Sequence, residues 1–268
     1  MDLGNPRIMT STEALDLEDI PKELLVIGGG YIGMELGSVY ASLGSNVTVV
    51  EALDEILAGA DTDICKVFQN HVNKKINQIY VSHKVKKLQT NGKKIKVTMS
   101  NGSKDKVINY DKVLVSVGRK PNVNNIGLEN TSVKLDDNGC IKINAECETD
   151  NSGIYAIGDV AGGIQLAHKA TKEAKLASES ILGHSGMSIN DFVIPAVVFT
   201  DPEISWVGLT EKEAKDAKIK VSVSKFPWTA SGRALTLDRT EGFTKLISDP
   251  DSGRLLGVGI VGEHAGDL

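Results

Sequence analysis

The sequence predicts an α/β protein that begins with a parallel sheet and ends in an α+β domain. Two short apolar runs, 24–27 and 47–50, flank a glycine-rich turn and a helical pattern, which is the order of a β-α-β unit. Asn-Gly pairs at 91–92 and 101–102 enclose alternating apolar residues, which predicts a β-meander. From residue 193 onwards the pattern is one of short strands with a single helix.

The glycine-rich turn has the spacing G-x-G-x-x-G at Gly28, Gly30 and Gly33. After a buried strand, this spacing allows a tight turn, a close approach of the backbone to a diphosphate, and close packing of helix on sheet. The helix that follows would direct its unpaired N–H groups at the diphosphate and would end at Gly44. Its apolar stripe is predicted at Leu36, Val39, Tyr40 and Leu43.

An acidic residue, Glu51, ends the second apolar run, 18 residues after Gly33. In Rossmann-type sites an acidic residue about 20 residues after the glycine motif binds the adenosine ribose of the dinucleotide. Its carboxylate would repel a 2′-phosphate, so the sequence predicts binding of NAD rather than NADP. The alternative is a structural strand-turn-helix with an exposed glutamate, because glycine-rich turns also arise for steric reasons alone.

The composition narrows the class of protein. A chain of 268 residues suggests about two domains, and 41% hydrophobic with 24% charged residues is typical of a globular protein. A net charge of −5 without a basic cluster argues against a nucleic-acid partner. The cysteines at 65, 140 and 147 have no metal-binding or C-x-x-C spacing, so we expect reduced thiols and no metal site. Without a long apolar run or a signal-peptide pattern, the protein is expected to be soluble and cytoplasmic.

The order of segments suggests four regions. Residues 1–20, with a helix start signal at 11–13, are interpreted as a connector. Residues 21–121 form the nucleotide domain, in which a second helix over 61–75 follows Glu51 and a buried strand lies at 113–117. The apolar stripe of that helix is predicted at Ile64, Val67, Phe68, Val72 and Ile76. Glycine and proline at 118–122 mark the domain edge.

Residues 122–188 contain a second glycine-rich unit. Short strands are predicted at 141–143 and 154–157, followed by Gly158-Asp159 and a helix over 166–182 that ends at Gly183. The helix stripe is predicted at Leu166, Ala170, Ala174, Ala177 and Ile181. Residues 189–268 form the α+β domain. Its predicted order is a strand at 196–199, an Asp-Pro turn, a short strand, a helix over 210–217 capped by Thr210 and Glu213, and strands near 221, at 243–247 and at 255–261.

Four of these segments together resemble the flavin-dependent disulfide oxidoreductases, class I of the pyridine nucleotide-disulfide oxidoreductases, and within them the dihydrolipoyl dehydrogenases. The nucleotide loop is VIGGGYIGMELG followed by VTVVEAL, and the exit from that domain is VLVSVGRKPN. IYAIGDVAGG with LAHKATKEA is similar to the second flavin-binding signature of the family. PAVVFTDPEISWVGLTEKEAK with FPWTASGRAL is similar to its interface domain. The resemblance covers essentially the whole chain, and it implies an NAD domain, the second part of an FAD domain and an incomplete interface (dimerisation) domain.

The resemblance also assigns two sets of cofactor-binding residues. The set for NAD comprises Gly28, Gly29, Gly30, Tyr31, Ile32, Gly33, Met34, Glu35, Glu51, Val85 and Gly118. The set for FAD comprises Asp159, Gln165, Leu166, Ala167 and His168. Glu35 would lie near the nicotinamide, and the backbone at Val85 and Gly118 would line the two ends of NAD. His168 would contribute backbone contacts rather than act as a catalytic base, and the alternative role of Asp159 is to cap the following helix.

Two motifs on which the chemistry of the family depends are missing from this sequence. It has no cysteine pair spaced C-x-x-x-x-C and no H-x-H-P segment, so no catalytic residue is assigned and the sequence is expected to be a central fragment. The parent would oxidise dihydrolipoamide with NAD through a redox disulfide and FAD, as a homodimer within 2-oxo acid dehydrogenase complexes. The alternatives are a mercuric or coenzyme A disulfide reductase, a non-catalytic NAD-binding module, and the remnant of a decayed gene.

Overall fold

A computed structural model describes residues 4–184 and 186–268. The chain forms two compact units, one comprising the residues through Val117 together with Val197–Leu268 and the other comprising Gly118–Ala196. The strands are β1 (Ile8–Met9), β2 (Glu23–Ile27), β3 (Asn46–Val50), β4 (Gln78–Tyr80), β5 (Lys84–Asn91), β6 (Lys94–Ser100), β7 (Asp105–Tyr110), β8 (Lys112–Val115), β9 (Ala196–Val198), β10 (Glu203–Gly208), β11 (Ser222–Pro227), β12 (Phe243–Ser248) and β13 (Leu255–Gly262). The α-helices are α1 (Ser11–Asp16), α2 (Tyr31–Ser42), α3 (Thr62–Val72), α4 (Ala167–Ile181), α5 (Glu211–Asp216) and α6 (Gly232–Leu237).

The first unit is built on a parallel sheet in the order β1-β8-β2-β3-β4. Leu24 and Val26 on β2 pack into the same core as α2 and α3, whereas Leu25 and Ile27 pack into the core beneath the meander. Both faces of β2 are therefore covered, which confirms the prediction of a fully buried strand and explains its continuous apolar run.

The meander has the strand order β5-β6-β7 and antiparallel pairing, as predicted. Ile95, Val97 and Met99 on β6 have no solvent exposure, because alternate residues of this strand face the parallel sheet. The Asn-Gly pairs at 91–92 and 101–102 lie in the two turns, and both glycines have positive φ. The prediction of an α/β fold with an inserted meander is thus confirmed.

The segment interpreted as a connector contains regular structure. Within it, β1 pairs in parallel with β8 and extends the sheet by one strand. Thr10 caps α1, and Glu13 completes the capping box. Residues 1–3 of this segment lie outside the described part of the chain.

The last sheet has the order β11-β12-β13-β10-β9 and belongs largely to the first unit. The predicted capping box is confirmed, since the Thr210 hydroxyl accepts the Glu213 N–H and Glu213 accepts the Thr210 N–H. Within the described residues, no helix combines the length and the apolarity needed to cross a membrane.

Two predictions for the second unit are corrected. Residues 141–143 and 154–157 are not strands but form single antiparallel bridges, Leu135 with Ile141 and Glu148 with Tyr155. Tight turns surround these bridges, so only one residue pair comes into register in each. The buried face of α4 is also different, because Ile181 is 65% exposed. The residues buried on α4 are Lys169, Glu173, Leu176 and Ala177.

The predicted stripe of α2 is wrong in part. Val39 and Leu43 are 46% and 44% exposed. The residues buried on this helix are Gly33, Met34, Gly37 and Tyr40. Small residues allow the helix to approach β2 and β3 closely: a Cβ at Gly37 would lie 3.5 Å from Val26 and 3.7 Å from Val47.

Candidate functional site

The three glycines of the motif lie in different structural surroundings. Gly28 has a φ of +106°, and a Cβ there would lie 2.5 Å from the Ser116 carbonyl oxygen. A Cβ at Gly33 would lie 2.0 Å from the Gly28 carbonyl oxygen. Gly30 has an extended backbone, and apart from its own neighbours along the chain no described residue lies within 4 Å of the Cβ position. The fold therefore requires Gly28 and Gly33, whereas the space beside Gly30 is open to a ligand.

The same turn begins α2, which is 12 residues long. The first backbone hydrogen bond of the helix runs from the Met34 N–H to the Gly30 carbonyl. No side chain caps the helix at Gly30. The N–H groups of the helix that precede Met34 therefore have neither a carbonyl partner within the helix nor a capping side chain. Such groups, together with the helix dipole, favour an anionic ligand.

The carboxylate of Glu51 lies against this turn. Its Oε2 accepts the Gly29 N–H at 2.6 Å, and its Oε1 accepts the Leu53 N–H at 2.7 Å. Each carboxylate oxygen has a second lone pair, so both can still accept from a hydroxyl group. The structure thus brings Glu51 and the glycine turn together, and the donor and acceptor set fits a pyrophosphate next to a ribose diol.

The loop before the meander adjoins Glu51 as well. The Glu51 N–H donates to the Tyr80 carbonyl at 2.8 Å, and the His83 N–H donates to the Glu51 carbonyl at 2.9 Å. Val85, which is half-buried and pairs with Met99, follows two residues later on β5. Gly118 is the first residue of the second unit and has a φ of +97°.

Glu35 lies on α2, and its Oε1 accepts the Phe199 N–H at 2.8 Å. Partial burial raises the pKa of the Glu35 carboxyl, and the hydrogen bond from Phe199 offsets part of this rise. Of the other predicted NAD contacts on this helix, Tyr31 and Ile32 are partly exposed, whereas Met34 is fully buried and its N–H already donates to the Gly30 carbonyl.

In the second unit, Asp159 lies in a single 3₁₀ turn, 158–161, and its carboxylate accepts from the Arg119 guanidinium at 2.9 Å. The alternative role of Asp159 as a helix cap is wrong, because α4 begins after Leu166. Gln165 and Leu166 precede that helix and Ala167 and His168 begin it. His168 hydrogen-bonds through Nε2 to the Pro195 carbonyl at 2.5 Å.

A buried ion pair that the sequence pattern did not predict supports the 3₁₀ turn around Asp159. The Lys169 ammonium lies 2.7 Å from the Glu173 carboxylate, and both side chains are buried. Glu173 accepts the Gly158 N–H at 2.7 Å, while Lys169 donates to the Gly162 carbonyl at 2.8 Å. The pair therefore fixes the backbone on both sides of Asp159. Opposite charges at i and i+4 in an alanine-rich helix are the sequence signal that could have revealed it.

A second buried charge cluster was also missed. The Lys245 ammonium has no solvent exposure and lies 2.6 Å from Asp61, 2.8 Å from Asp63 and 2.8 Å from Glu211. Burial lowers the pKa of Lys245, but its hydrogen bonds to the three carboxylates outweigh this effect and the pKa is raised. Oxygens of the three carboxylates lie within 4.8 Å of one another, a spacing that could suit a metal ion. Because the Lys245 ammonium already occupies the position among these carboxylates, we assign the cluster to packing of β12 against α3 and α5.

Cys65, Cys140 and Cys147 are free and buried. Burial raises the pKa of the Cys65 thiol to about 12 and that of Cys147 to about 11. Thiols with such pKa values are poor nucleophiles at neutral pH.

Comparisons with known proteins extend these observations. The chain matches the family "Pyridine nucleotide-disulphide oxidoreductase" over residues 2–174 and the dimerisation domain of the same family over residues 194–268. It is 42% identical over 262 residues to a dihydrolipoyl dehydrogenase of Geobacillus stearothermophilus and 42% identical over 264 residues to that of Haemophilus influenzae. These matches cover 98% of this chain and 56% and 55% of the relatives, so the chain spans about half of their length.

Solved structures show the same fold. The HOCl-induced flavoprotein disulfide reductase RclA of Escherichia coli aligns with a TM-score of 0.89 and 27% identity, over 98% of this chain and 60% of that protein. LpdA of Mycobacterium tuberculosis aligns with a TM-score of 0.88 and 26% identity, over 97% of this chain and 56% of that protein.

Proposed function

Because the chain belongs to the pyridine nucleotide-disulphide oxidoreductase family, we propose that its residues 28–51 bind NAD, with Gly30 at the closest approach of the pyrophosphate. The observation that carries this proposal is the empty space beside Gly30, where the fold itself gives no reason for a glycine. The uncapped N-terminus of α2 supplies N–H donors for the pyrophosphate. The backbone of Tyr31 and Ile32 and the side chain of Glu35 continue the proposed site along the helix.

We propose NAD rather than NADP because Glu51 would hold the adenosine ribose. A ribose diol can donate to the remaining lone pairs of the Glu51 carboxylate, whereas a 2′-phosphate would meet a like charge there. Val85 and Gly118 are proposed to line the two ends of the dinucleotide. When bound, NAD accepts a hydride, and the residues of this site position and orient it.

For the protein to which this chain belongs, we propose oxidation of dihydrolipoamide with NAD through a redox disulfide and FAD. The 42% identity to dihydrolipoyl dehydrogenases supports this activity over that of other disulfide reductases. The proposed FAD contacts are Asp159 and the backbone of 165–168, which the Lys169–Glu173 pair and α4 hold in place. The match to a dimerisation domain supports a homodimer, and dihydrolipoamide implies 2-oxo acid dehydrogenase complexes as partners. Buried, unpaired thiols are in keeping with a reducing compartment, the cytoplasm.

The fold similarity to RclA keeps a second candidate open, a flavoprotein disulfide reductase with a different substrate. Turnover assays of the intact protein with dihydrolipoamide and with oxidised coenzyme A distinguish the two candidates. NAD reduction by dihydrolipoamide supports the proposal. NADH oxidation by the coenzyme A disulfide alone would favour the second candidate.

The proposed NAD site is tested by Gly30→Ala. The backbone there is extended and the Cβ position is free, so the variant should fold with unchanged thermal stability. Its methyl group would occupy the space needed by the pyrophosphate, and we expect the Kd for NADH to rise about tenfold or more. Gly33→Ala is the matched control, because its Cβ would clash with Gly28 and lower stability as well as binding. Unchanged NADH affinity of the Gly30 variant would refute the assignment.

A further inference from the structure

The meander has the most concentrated positive charge in the chain. Residues 84–112, which comprise the meander and the start of β8, contain nine lysines and two aspartates, with neither arginine nor glutamate, so their net charge is +7. Because the whole chain has a net charge of −5, the other residues together have −12. The whole-chain value conceals this contrast, and the expectation that the sequence has no basic cluster is wrong.

One face of the meander is buried and the other is free. The apolar residues of β6 face the core, so the alternate residues Lys96 and Thr98 face outward. The strand register places neighbours beside them on the same outer face. Across β5, β6 and β7, the outer rows include Gln89, Lys96 and Asn109, then Lys87, Thr98 and Val107. The next row is Lys84, Ser100 and Asp105, and its carboxylate already pairs with Lys86.

Most of the lysines have no internal partner. Lys86, Lys94 and Lys112 each lie within 4.0 Å of a carboxylate. Among the residues that the structure describes, the others form no ion pair: Lys84, Lys87, Lys93, Lys96, Lys104 and Lys106. Of these, Lys106 lies over the Tyr80 ring at 4.3 Å. The remaining five are exposed. Lys93 and Lys104 lie in the connections between strands, so we call Lys84, Lys87 and Lys96, which lie in the outer rows, the lysine face.

The lysine face has no evident structural purpose. Lysines on edge strands discourage unwanted pairing, which would explain Lys84 and Lys87 on β5. Lys96, however, lies on the central strand β6, where no edge needs protection. Lys87 and Lys96 are diagonal neighbours in the strand register, so their like charges give the sheet no favourable cross-strand pair. A binding role accounts for them better than a role in folding does.

We propose that the lysine face is a docking surface for an acidic polypeptide segment in extended conformation. The charge of the surface calls for an anionic partner, and β5 and β7 are both edges of a three-stranded sheet. A strand added along β5 would gain backbone hydrogen bonds. Its carboxylates, at every second residue, would face Lys87 and Lys96. A basic strand would be repelled by these lysines, and a neutral strand would gain no ion pairs with them.

The residues around the lysines favour a polypeptide over a nucleic acid. Binding of single strands depends on exposed aromatic rings, but none lies in the outer rows of the meander. Tyr110 is buried and the ring of Tyr80 is covered by Lys106. Segment 84–112 has no arginine for reading base edges or clamping phosphates.

The test is binding of a fluorescent peptide of alternating glutamate and threonine, followed by anisotropy at about 50 mM salt, where charges are weakly screened. The double variant Lys87→Gln/Lys96→Gln should bind about tenfold more weakly than the parent chain. Lys142→Gln/Lys175→Gln removes the same charge from exposed positions outside the meander and should leave affinity unchanged. Circular dichroism checks that both variants remain folded.

A charge-reversed pair gives a second readout. Lys87→Glu/Lys96→Glu should lose the glutamate peptide and gain affinity for a lysine–threonine peptide of the same length. Equal losses in the meander variant and the control variant would overturn the proposal, as would absence of binding to the parent chain. Tighter binding of a thymidine oligonucleotide of equal length, lost in the same variant, would overturn the choice of a polypeptide partner.

Discussion

Lys245→Met is the perturbation whose effect the structure specifies most closely. The ammonium is fully buried among Asp61, Asp63 and Glu211, and methionine keeps most of the side-chain volume while removing the charge. Three carboxylates would then lose their common counter-charge. Removing one partner of a buried ion pair costs about 3–5 kcal/mol, because the remaining charge is left uncompensated.

Most of that free energy comes from Asp61. Its side chain is 6% exposed, whereas Asp63 and Glu211 are 31% and 40% exposed and can be hydrated by water after the change. Asp61 also accepts the N–H groups of Glu211 and Lys212 at the start of α5. Asp61→Asn keeps an acceptor for those groups and removes the uncompensated charge. The double variant with Lys245→Met should therefore be more stable than Lys245→Met alone.

Urea unfolding followed by tryptophan fluorescence measures this effect, since Trp206 and Trp228 both lie in the first unit. The matched control is Lys225→Met. Lys225 also pairs with Asp63, at 2.6 Å, but is 44% exposed, so its loss should cost less than about 1 kcal/mol. If Lys245→Met costs no more free energy of unfolding than Lys225→Met, the reasoning about the buried cluster is refuted.

Two further predictions concern titrating groups. The pKa of Glu35 is raised by burial, so its ionisation opposes folding as the pH rises through that value. Glu35→Gln keeps the acceptor for the Phe199 N–H, and it should be more stable than the parent chain at pH near 7. Near pH 4, below the ordinary glutamate pKa, urea unfolding should show the two proteins to be equally stable. A parent chain that is the more stable at neutral pH would contradict this. Since burial raises the thiol pKa of Cys65 to about 12 and of Cys147 to about 11, neither should react with Ellman's reagent at neutral pH until denaturant is added, and fast labelling of the native chain would argue against it.

The elements that the sequence predicted well are those set by local signals. The apolar run of β2, the Asn-Gly turns of the meander and the Thr210 capping box each depend on a few adjacent residues. The spacing of Gly28, Gly33 and Glu51 likewise predicted groups that the structure brings together.

The errors arise where burial does not follow hydropathy. The inner face of α2 includes Gly33 and Gly37, which a search for large apolar residues does not find. On α4 the inner face includes Lys169 and Glu173, which any hydropathy pattern assigns to solvent. Lys245 is likewise buried although it is charged. Its position could not be predicted because its partners at α3 and α5 are far away in sequence. A strand of two residues such as β1 is too short to show a period.

Equilibrium titration of the chain with NADH and with NADPH is the most direct test of the site formed by the glycine turn and Glu51. NADH should bind, and NADPH should bind at least about tenfold more weakly, because its 2′-phosphate would lie against the Glu51 carboxylate. Equal or tighter binding of NADPH, or no binding of NADH, would contradict the account.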